Sequence, residues 1–341
     1  AEMAMVTIHD ITKKTGFSPP TVSKALNGTG GLSGATRALI LQVAHEMGYT
    51  PNMTARSLST NRSQLIGVIY EDYYMLKGFK HPLFSDILNS FRKVIESAGY
   101  DLLFLSRTLG AQQMTYLEHC DYRNVDGILI MNPVPGDEEV GKLIGCGRPC
   151  VSANEPIPGI CTVVTENIEG AKEAVQYLVD LGHRKIAYVS GPQRISAPAA
   201  GERLKGYQVC LEKNGIPFDA GLVEEGLFWH TEAGYEAAKR LLSRRRDFTA
   251  IFASNDTLAC GVMKALGEAG LAVPHDVSLI GFDGDDMDEY LNPPLTTMWQ
   301  NCEVIGTTTA DLLLKKLAGI AVPEIIHVPA KLIERDSCSR V

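Results

Sequence analysis

No apolar run in this chain approaches the ~18–20 residues a helix needs to cross a bilayer, so no membrane span is expected. Ala1-Glu2-Met3-Ala4-Met5 carries no basic-then-apolar segment, and no retained signal peptide is expected either. The 8 cysteines (Cys120, Cys146, Cys150, Cys161, Cys210, Cys260, Cys302, Cys338) form no C-x-x-C pair, and histidines do not cluster near them. That argues against zinc and redox motifs, and 341 residues is the wrong length for a disulfide scaffold. Idle thiols in a reducing cytoplasm are the remaining reading. G-x-x-x-x-G-K-S/T, G-x-S-x-G and H-E-x-x-H are all missing. With no nucleophile paired to a base, neither an enzyme nor a bound metal or cofactor is expected. Asp283-Gly284-Asp285-Asp286-Met287-Asp288 lacks the spacing and distal glutamate of a calcium loop, and reads as a solvated turn around one aspartate.

What is present is ordinary globular composition, 45% hydrophobic and 21% charged, with an uneven spread of charge. Up to Arg62 there are six basic residues against three acidic ones, net +3. That leaves 26 of the 32 basic and 37 of the 40 acidic residues for the rest, net −11. A basic head on an acidic body points to an anionic partner for the head alone.

The head reads as short helices without a strand. Thr7 and Asp10 have capping-box spacing, and Ile8 and Ile11 open an apolar stripe that ends at Thr15-Gly16. Ser18 can cap a second helix, with Pro19 and Pro20 in the first turn, where N–H groups lack intrahelical partners anyway. It runs from Thr21 to Leu26 and stops at Asn27-Gly28. Ser33 caps a third helix, with Leu39, Ile40, Val43, Ala44 and Met47 at helical spacing. Two helices joined by a short turn at Gly16, covered by a third, describe a helix-turn-helix unit. Its second helix can place Ser18, Pro19, Pro20, Ser23 and Lys24 in a major groove; the competing reading is an ordinary short helix.

From Leu65 the rhythm changes. Apolar runs at Leu65–Tyr70, Asp101–Ser106, Gly127–Met131, Lys185–Ser190, Ala250–Ala253 and Val277–Phe282 alternate with helical stretches. Those stretches are Phe84–Ala98, Ile168–Leu181, Arg203–Asn214, Thr231–Leu242, Thr257–Ala269 and Val304–Leu317. Such alternation predicts parallel sheets with helices on both faces, and the body is long enough for two α/β lobes. Ligands of open α/β sheets sit beyond the carboxyl ends of strands, which brings forward Asp283 and Asn255-Asp256. Asp256 reads as a helix cap, and Asn255 as sharing that cap or facing the cleft.

Thr7–Gly28, the hinge-like Tyr49–Leu58, and the body segments Leu181–Gly191 and Gly281–Gly284 together resemble the lactose-repressor/galactose-repressor (LacI/GalR) family, over essentially the whole chain. The resemblance implies an all-α helix-turn-helix head over residues 1–50, a hinge helix and linker at 51–63, and a two-lobed α/β, periplasmic-binding-protein-like body with parallel sheets. It divides that body into 64–165 with 302–329 and 166–301 with 330–341. It implies a cytoplasmic homodimer that reads double-stranded operator DNA and answers to a small effector, a sugar or sugar derivative. On the DNA side it carries over Thr7, Ser18, Pro19, Pro20, Thr21, Ser23, Lys24 and Asn27 in the head, and Asn52, Ala55, Arg56 and Leu58 in the hinge. Proline carries no donor, so Pro19 and Pro20 offer apolar contact only, and Lys24 stands where the family often has arginine. Leu58 matches the hinge leucine that wedges between base pairs.

On the effector side the resemblance carries over Tyr73, Asn154, Thr165, Arg203, Trp229, Asn255, Asp283 and Gln300. Amides and charges suit hydroxyls, and an indole suits the apolar face of a sugar. Arg203 and Asp283 have a second reading, as an ion pair holding their lobe together, and Trp229 as a plain core aromatic. Asn154 stands where relatives often have Asp, and Thr165 where some have an aromatic. The loop Glu71–Pro82 is longer than in most relatives, and either reaches the cleft or is solvated. A solute-binding protein without a DNA role is the alternative function; the basic head and hinge argue against it.

Overall fold

The computed structural model describes residues 6–50, 62–71, 76, 78–193 and 198–341, in two compact units, 1–63 and 64–341. Asn52, Ala55, Arg56, Leu58 and Tyr73 lie outside the described residues.

The first unit is α1 (Ile8–Thr15), α2 (Pro19–Leu26) and α3 (Gly34–Glu46). Thr7 and Asp10 make the full capping box on α1, and Gly16 ends that helix at φ 74°. Ser18 and Ser33 accept from the N–H groups of Thr21 and Thr36 to cap α2 and α3. Ile11, Val22, Ala25, Ile40 and Ala44 form the core, with Val43 and Met47 packed against it. Leu39 departs from expectation and is 48% exposed. The buried stripe runs Ile40, Val43, Ala44, Met47, and Leu39 stands about 100° of helical turn away from it.

The second unit holds two six-stranded sheets. In chain order the first takes β1 (Leu65–Tyr70), β2 (Asp101–Phe104), β5 (Gly127–Met131), β6 (Cys150–Ala153), β7 (Cys161–Thr165) and β13 (Ile325–Val328). Its spatial order is β13-β7-β6-β5-β1-β2, parallel throughout. The second takes β8 (Ile186–Ser190), β9 (Val223–Glu225), β10 (Ala250–Ala253), β11 (Ser278–Asp283), β12 (Thr296–Trp299) and β14 (Lys331–Ile333). Its order is β14-β12-β11-β10-β8-β9, with β14 alone antiparallel. A small hairpin, β3 (Thr108–Leu109) and β4 (Gln112–Gln113), stands apart. The chain passes between the sheets after β7, after β12 and between β13 and β14. In each sheet the first strand lies between the second and the third, which creates a switch point at the carboxyl ends of β1/β5 and of β8/β10.

Helices α4 (Pro82–Ser97), α5 (Tyr116–Arg123), α6 (Glu138–Gly145) and α11 (Cys302–Leu317) belong to the first lobe. The second lobe has α7 (Asn167–Asp180), α8 (Pro198–Lys213), α9 (Thr231–Arg244) and α10 (Asp256–Glu268). Helices α9 and α10 meet backbone to backbone: a Cβ on Gly261 would lie 2.0 Å from the Thr231 carbonyl oxygen. Each lobe buries a core between sheet and helices, Ile66, Phe91 and Leu129 in the first and Tyr188, Tyr207 and Phe252 in the second.

The candidate effector cleft and the DNA-facing helix

On α2 the sequence pattern separates two faces. Val22 and Ala25 are buried, whereas Ser18, Pro19, Pro20 and Lys24 are exposed and Thr21, Ser23 and Asn27 half-buried. Asn27 ends the helix and its Nδ2 donates to Ser23 Oγ at 3.2 Å. The Lys24 stem lies along Gly30, whose added Cβ would be 3.0 Å from Lys24 Cδ. Thr7 is tied into its capping box, its hydroxyl donating to Asp10 Oδ2 at 2.7 Å. The helix thus presents one cation, Lys24, and the hydroxyls of Ser18, Thr21 and Ser23 beside two prolines.

In the body, a cavity lies between the two lobes. It is lined by His81, Leu83 and Asn154 from the first lobe and Ala199, Arg203, Trp229, Asn255 and Asp283 from the second. Arg203 is 3% exposed and Asp283 4% exposed. The Arg203 Nη1 atom stands 3.7 Å from Asp283 Oδ1 and donates to the Ser254 carbonyl at 2.5 Å, while Nε donates to Asn167 Oδ1 at 2.9 Å. Its guanidinium also lies 3.8 Å over the Phe282 ring. Burial pulls the Arg203 pKa down, opposed by Asp283. Burial pushes the Asp283 carboxyl well up, opposed first by Arg203. Arg203 and Asp283 thus pair with each other, and both line the cavity.

Asp283 has φ +139°, a conformation L-residues rarely adopt. It is held there by neighbours. Its Oδ1 accepts from Gln300 Nε2 at 2.6 Å, its carbonyl accepts from the Gln300 N–H at 2.8 Å, and Gln300 Oε1 accepts from Thr165 Oγ1 at 2.5 Å. Thr165 and Gln300 thus stand behind Asp283 rather than among the cavity-lining residues. Trp229 is 5% exposed, and a Cβ on Gly191 would lie 2.6 Å from its ring, so only glycine admits the indole at the end of β8.

Two expectations change. Asn255, not Asp256, caps α10, its side chain accepting from the Leu258 N–H at 2.8 Å while still lining the cavity. Asp256 lies inside the first turn and points across the sheet. Its Oδ2 accepts from Gly284 N at 2.6 Å and Asp285 N at 3.2 Å, and its Oδ1 from Thr297 Oγ1 at 2.7 Å. One residue of offset turns the carboxylate from cap to anchor of the segment after β11. That segment is not simply solvated either: Asp288 is 1% exposed, and burial beside Asp256 pushes its carboxyl up to about 10. Of the long loop after β1, residues 72–75 and 77, with both tyrosines, lie outside the described residues; His81 lines the cavity, and Phe79 stacks on Tyr70 at 5.1 Å. Sequence reasoning missed His81, Leu83, Ala199, Asn167 and Ser254. Ser254 directly follows β10 at a switch point, a position the topology marks.

The cavity holds about 30 Å³, room for roughly two waters, where small-molecule pockets measure ~300 Å³ or more. Among the described residues no group of His, Cys, Asp and Glu side chains is arranged to hold a metal, and no helix is long and apolar enough to cross a membrane.

Residues 7–52 match the family model of bacterial regulatory proteins, lacI family, and residues 175–338 that of the periplasmic binding protein-like domain. The chain is 32% identical over 340 residues to the HTH-type transcriptional regulator DegA of Bacillus subtilis, spanning 98% of each. It is 33% identical to the HTH-type transcriptional repressor CytR of Escherichia coli, across 92% of this chain and 90% of that one. Among solved structures, the Lac repressor dimer bound to operator and the anti-inducer ONPF aligns at TM-score 0.82 and 26% identity, over 98% of this chain and 100% of that one. The complex of the regulator CelR with cellobiose aligns at TM-score 0.72 and 28% identity, over 97% and 99%. A capped helix-turn-helix head, a two-sheet body and these relationships have one reading: the chain belongs to the LacI family and is a ligand-responsive, DNA-binding transcription regulator.

Proposed function

We propose that this regulator is a cytoplasmic homodimeric repressor whose hold on a pseudo-palindromic operator is set by an uncharged polyhydroxy effector, a sugar or sugar derivative, bound between the lobes. In this reading residues 1–50 form the DNA-binding head and 51–63 the hinge. Residues 64–165 with 302–329 form one lobe, and 166–301 with 330–341 the other. Pro19, Pro20 and Lys24 face base edges, flanked by Thr7, Ser18, Thr21, Ser23 and Asn27. Asn52, Ala55 and Arg56 carry Leu58 into the minor groove as a wedge. Tyr73, Asn154, Thr165, Arg203, Trp229, Asn255, Asp283 and Gln300 serve the effector, directly or through the network behind Asp283.

The observation that carries the effector class is the buried Arg203–Asp283 pair at 3.7 Å. Each charge answers the other, so a neutral ligand meets donors and acceptors without an unmatched charge, whereas a phosphate would have only half of a committed pair. The effector acts by its differential affinity for the arrangements of the lobes. A thermal-shift screen of neutral sugars, their phosphates and nucleobases tests this. A neutral sugar at about 100 times its Kd stabilises the native state by about 2.7 kcal/mol. A shift produced by phosphates or nucleobases alone refutes the assigned class.

A further inference from the structure

Beside the narrow cavity lies a larger and chemically different opening of about 400 Å³. The loops that follow β5 and β6 form its walls, with Val134, Ile144, Pro156 and Ile157 prominent, and Pro198 of the second lobe closes one side. The two openings are linked along the chain. Asn154 and Ala199 line the cavity, and their chain neighbours Glu155 and Pro198 line the groove. Of the groove's lining residues only Asp137 and Glu155 ionise. Asp137 is already committed, capping α6 through Oδ1 and paired with Arg107 through Oδ2. Burial pushes the Glu155 carboxyl up to about 7, so it takes a proton readily near neutrality. A proton there leaves the groove without net charge of its own.

We infer that this groove is a second effector subsite, which takes an apolar ring-sized substituent carried by the sugar held at Arg203 and Asp283. The effector is then a two-part molecule, such as a glycoside with an apolar aglycone, its hydroxylated part in the polar cavity and its apolar part against Val134, Ile144 and Ile157. The inference rests on the proposed cleft reading and adds to it a selectivity that the polar cavity alone does not provide. Hydroxyl recognition by Asn154, Arg203, Asn255 and Asp283 is indifferent to what the sugar carries, whereas an apolar wall gains free energy with every carbon it removes from water.

The test uses the full chain and matched methyl and phenyl glycosides of glucose and galactose, in both anomers, followed by calorimetric titration. The phenyl glycoside of at least one sugar binds about tenfold tighter than its methyl counterpart. Ile157→Gln removes that advantage and leaves methyl-glycoside affinity within about twofold. Ile157 packs against the first-lobe core, so Val134→Gln, with its melting point measured, serves as the independent second variant. Equal methyl and phenyl affinities, or a phenyl advantage that survives both groove variants, overturn the subsite while leaving the cleft reading intact. Failure of every glycoside to bind overturns the sugar reading and the subsite together.

Discussion

Asp283 concentrates the chemistry of the body in one residue. Its φ of +139° and its burial are both costly, and both persist because Gln300, Arg203 and the segment anchored by Asp256 over-determine its place. Its position at the end of an apolar run was legible in the sequence, and so was the residue type. Its strain was not, because backbone dihedrals are set by partners far along the chain. The ion pair with Arg203 makes a specific demand on mutants. Removing one partner strands the other charge in a dry site, a loss on the order of 3 kcal/mol. Arg203→Ala and Asp283→Ala each lower stability by about that amount and also abolish effector binding, while the double variant loses clearly less than the sum. Urea denaturation of the three variants measures the coupling. Strict additivity would show that the two side chains do not interact, against the geometry.

At the scale of elements, the legible parts were those with caps and long periodic stripes. The three head helices and the strands Leu65–Tyr70, Gly127–Met131 and Ala250–Ala253 were bounded as observed or within a residue or two. The strands β6, β7, β9, β12, β13 and β14 passed unread because each is short and carries a Ser, Thr, Glu, His or Lys, so no apolar run stands out as it does in Gly127–Met131 and Ala250–Ala253. Helices α5 and α6 were missed too, although they are as long as α1 and α2 and carry caps of the same kind at Thr115 and Asp137. The turn after β11 illustrates the opposite error. Apart from one cleft aspartate its carboxylates looked solvated, yet Asp288 folds inward next to Asp256. With its carboxyl pushed up to about 10, Asp288 holds a proton that the unfolded chain releases near pH 4. The native state therefore binds more protons across that window. Its stabilisation is complete below about pH 4 and is lost as pH rises toward 10. The melting temperature falls from about pH 6 to pH 9, and Asp288→Asn, which keeps a donor without the titration, flattens the slope. An unchanged slope in that variant assigns the proton elsewhere.

At the scale of the molecule, charge and contact both divide the chain at the same place. The chain divides into its compact units between Ser63 and Gln64, and the net charge changes from +3 up to Arg62 to −11 beyond it. The sequence carried this division openly, since composition needs no tertiary structure to be read. The partition of labour follows from it. An acidic body repels DNA, so attraction to phosphates must come from the head and hinge, and each cation engaged there releases counterions on binding. Lys24 is the exposed cation of α2, the helix proposed to face DNA, and a dimer brings two of them. Lys24→Gln then lowers the slope of log affinity against log salt by about one per head, about two for the dimer. Deleting residues 1–62 goes further and abolishes operator binding, while the body, with its own core, stays folded and retains effector affinity. Fluorescence anisotropy on operator DNA across a salt series reads the first effect, and calorimetric titration of the truncated chain reads the second. A truncated chain that still binds operator with full affinity would move the DNA site into the body, where the charge is wrong for it.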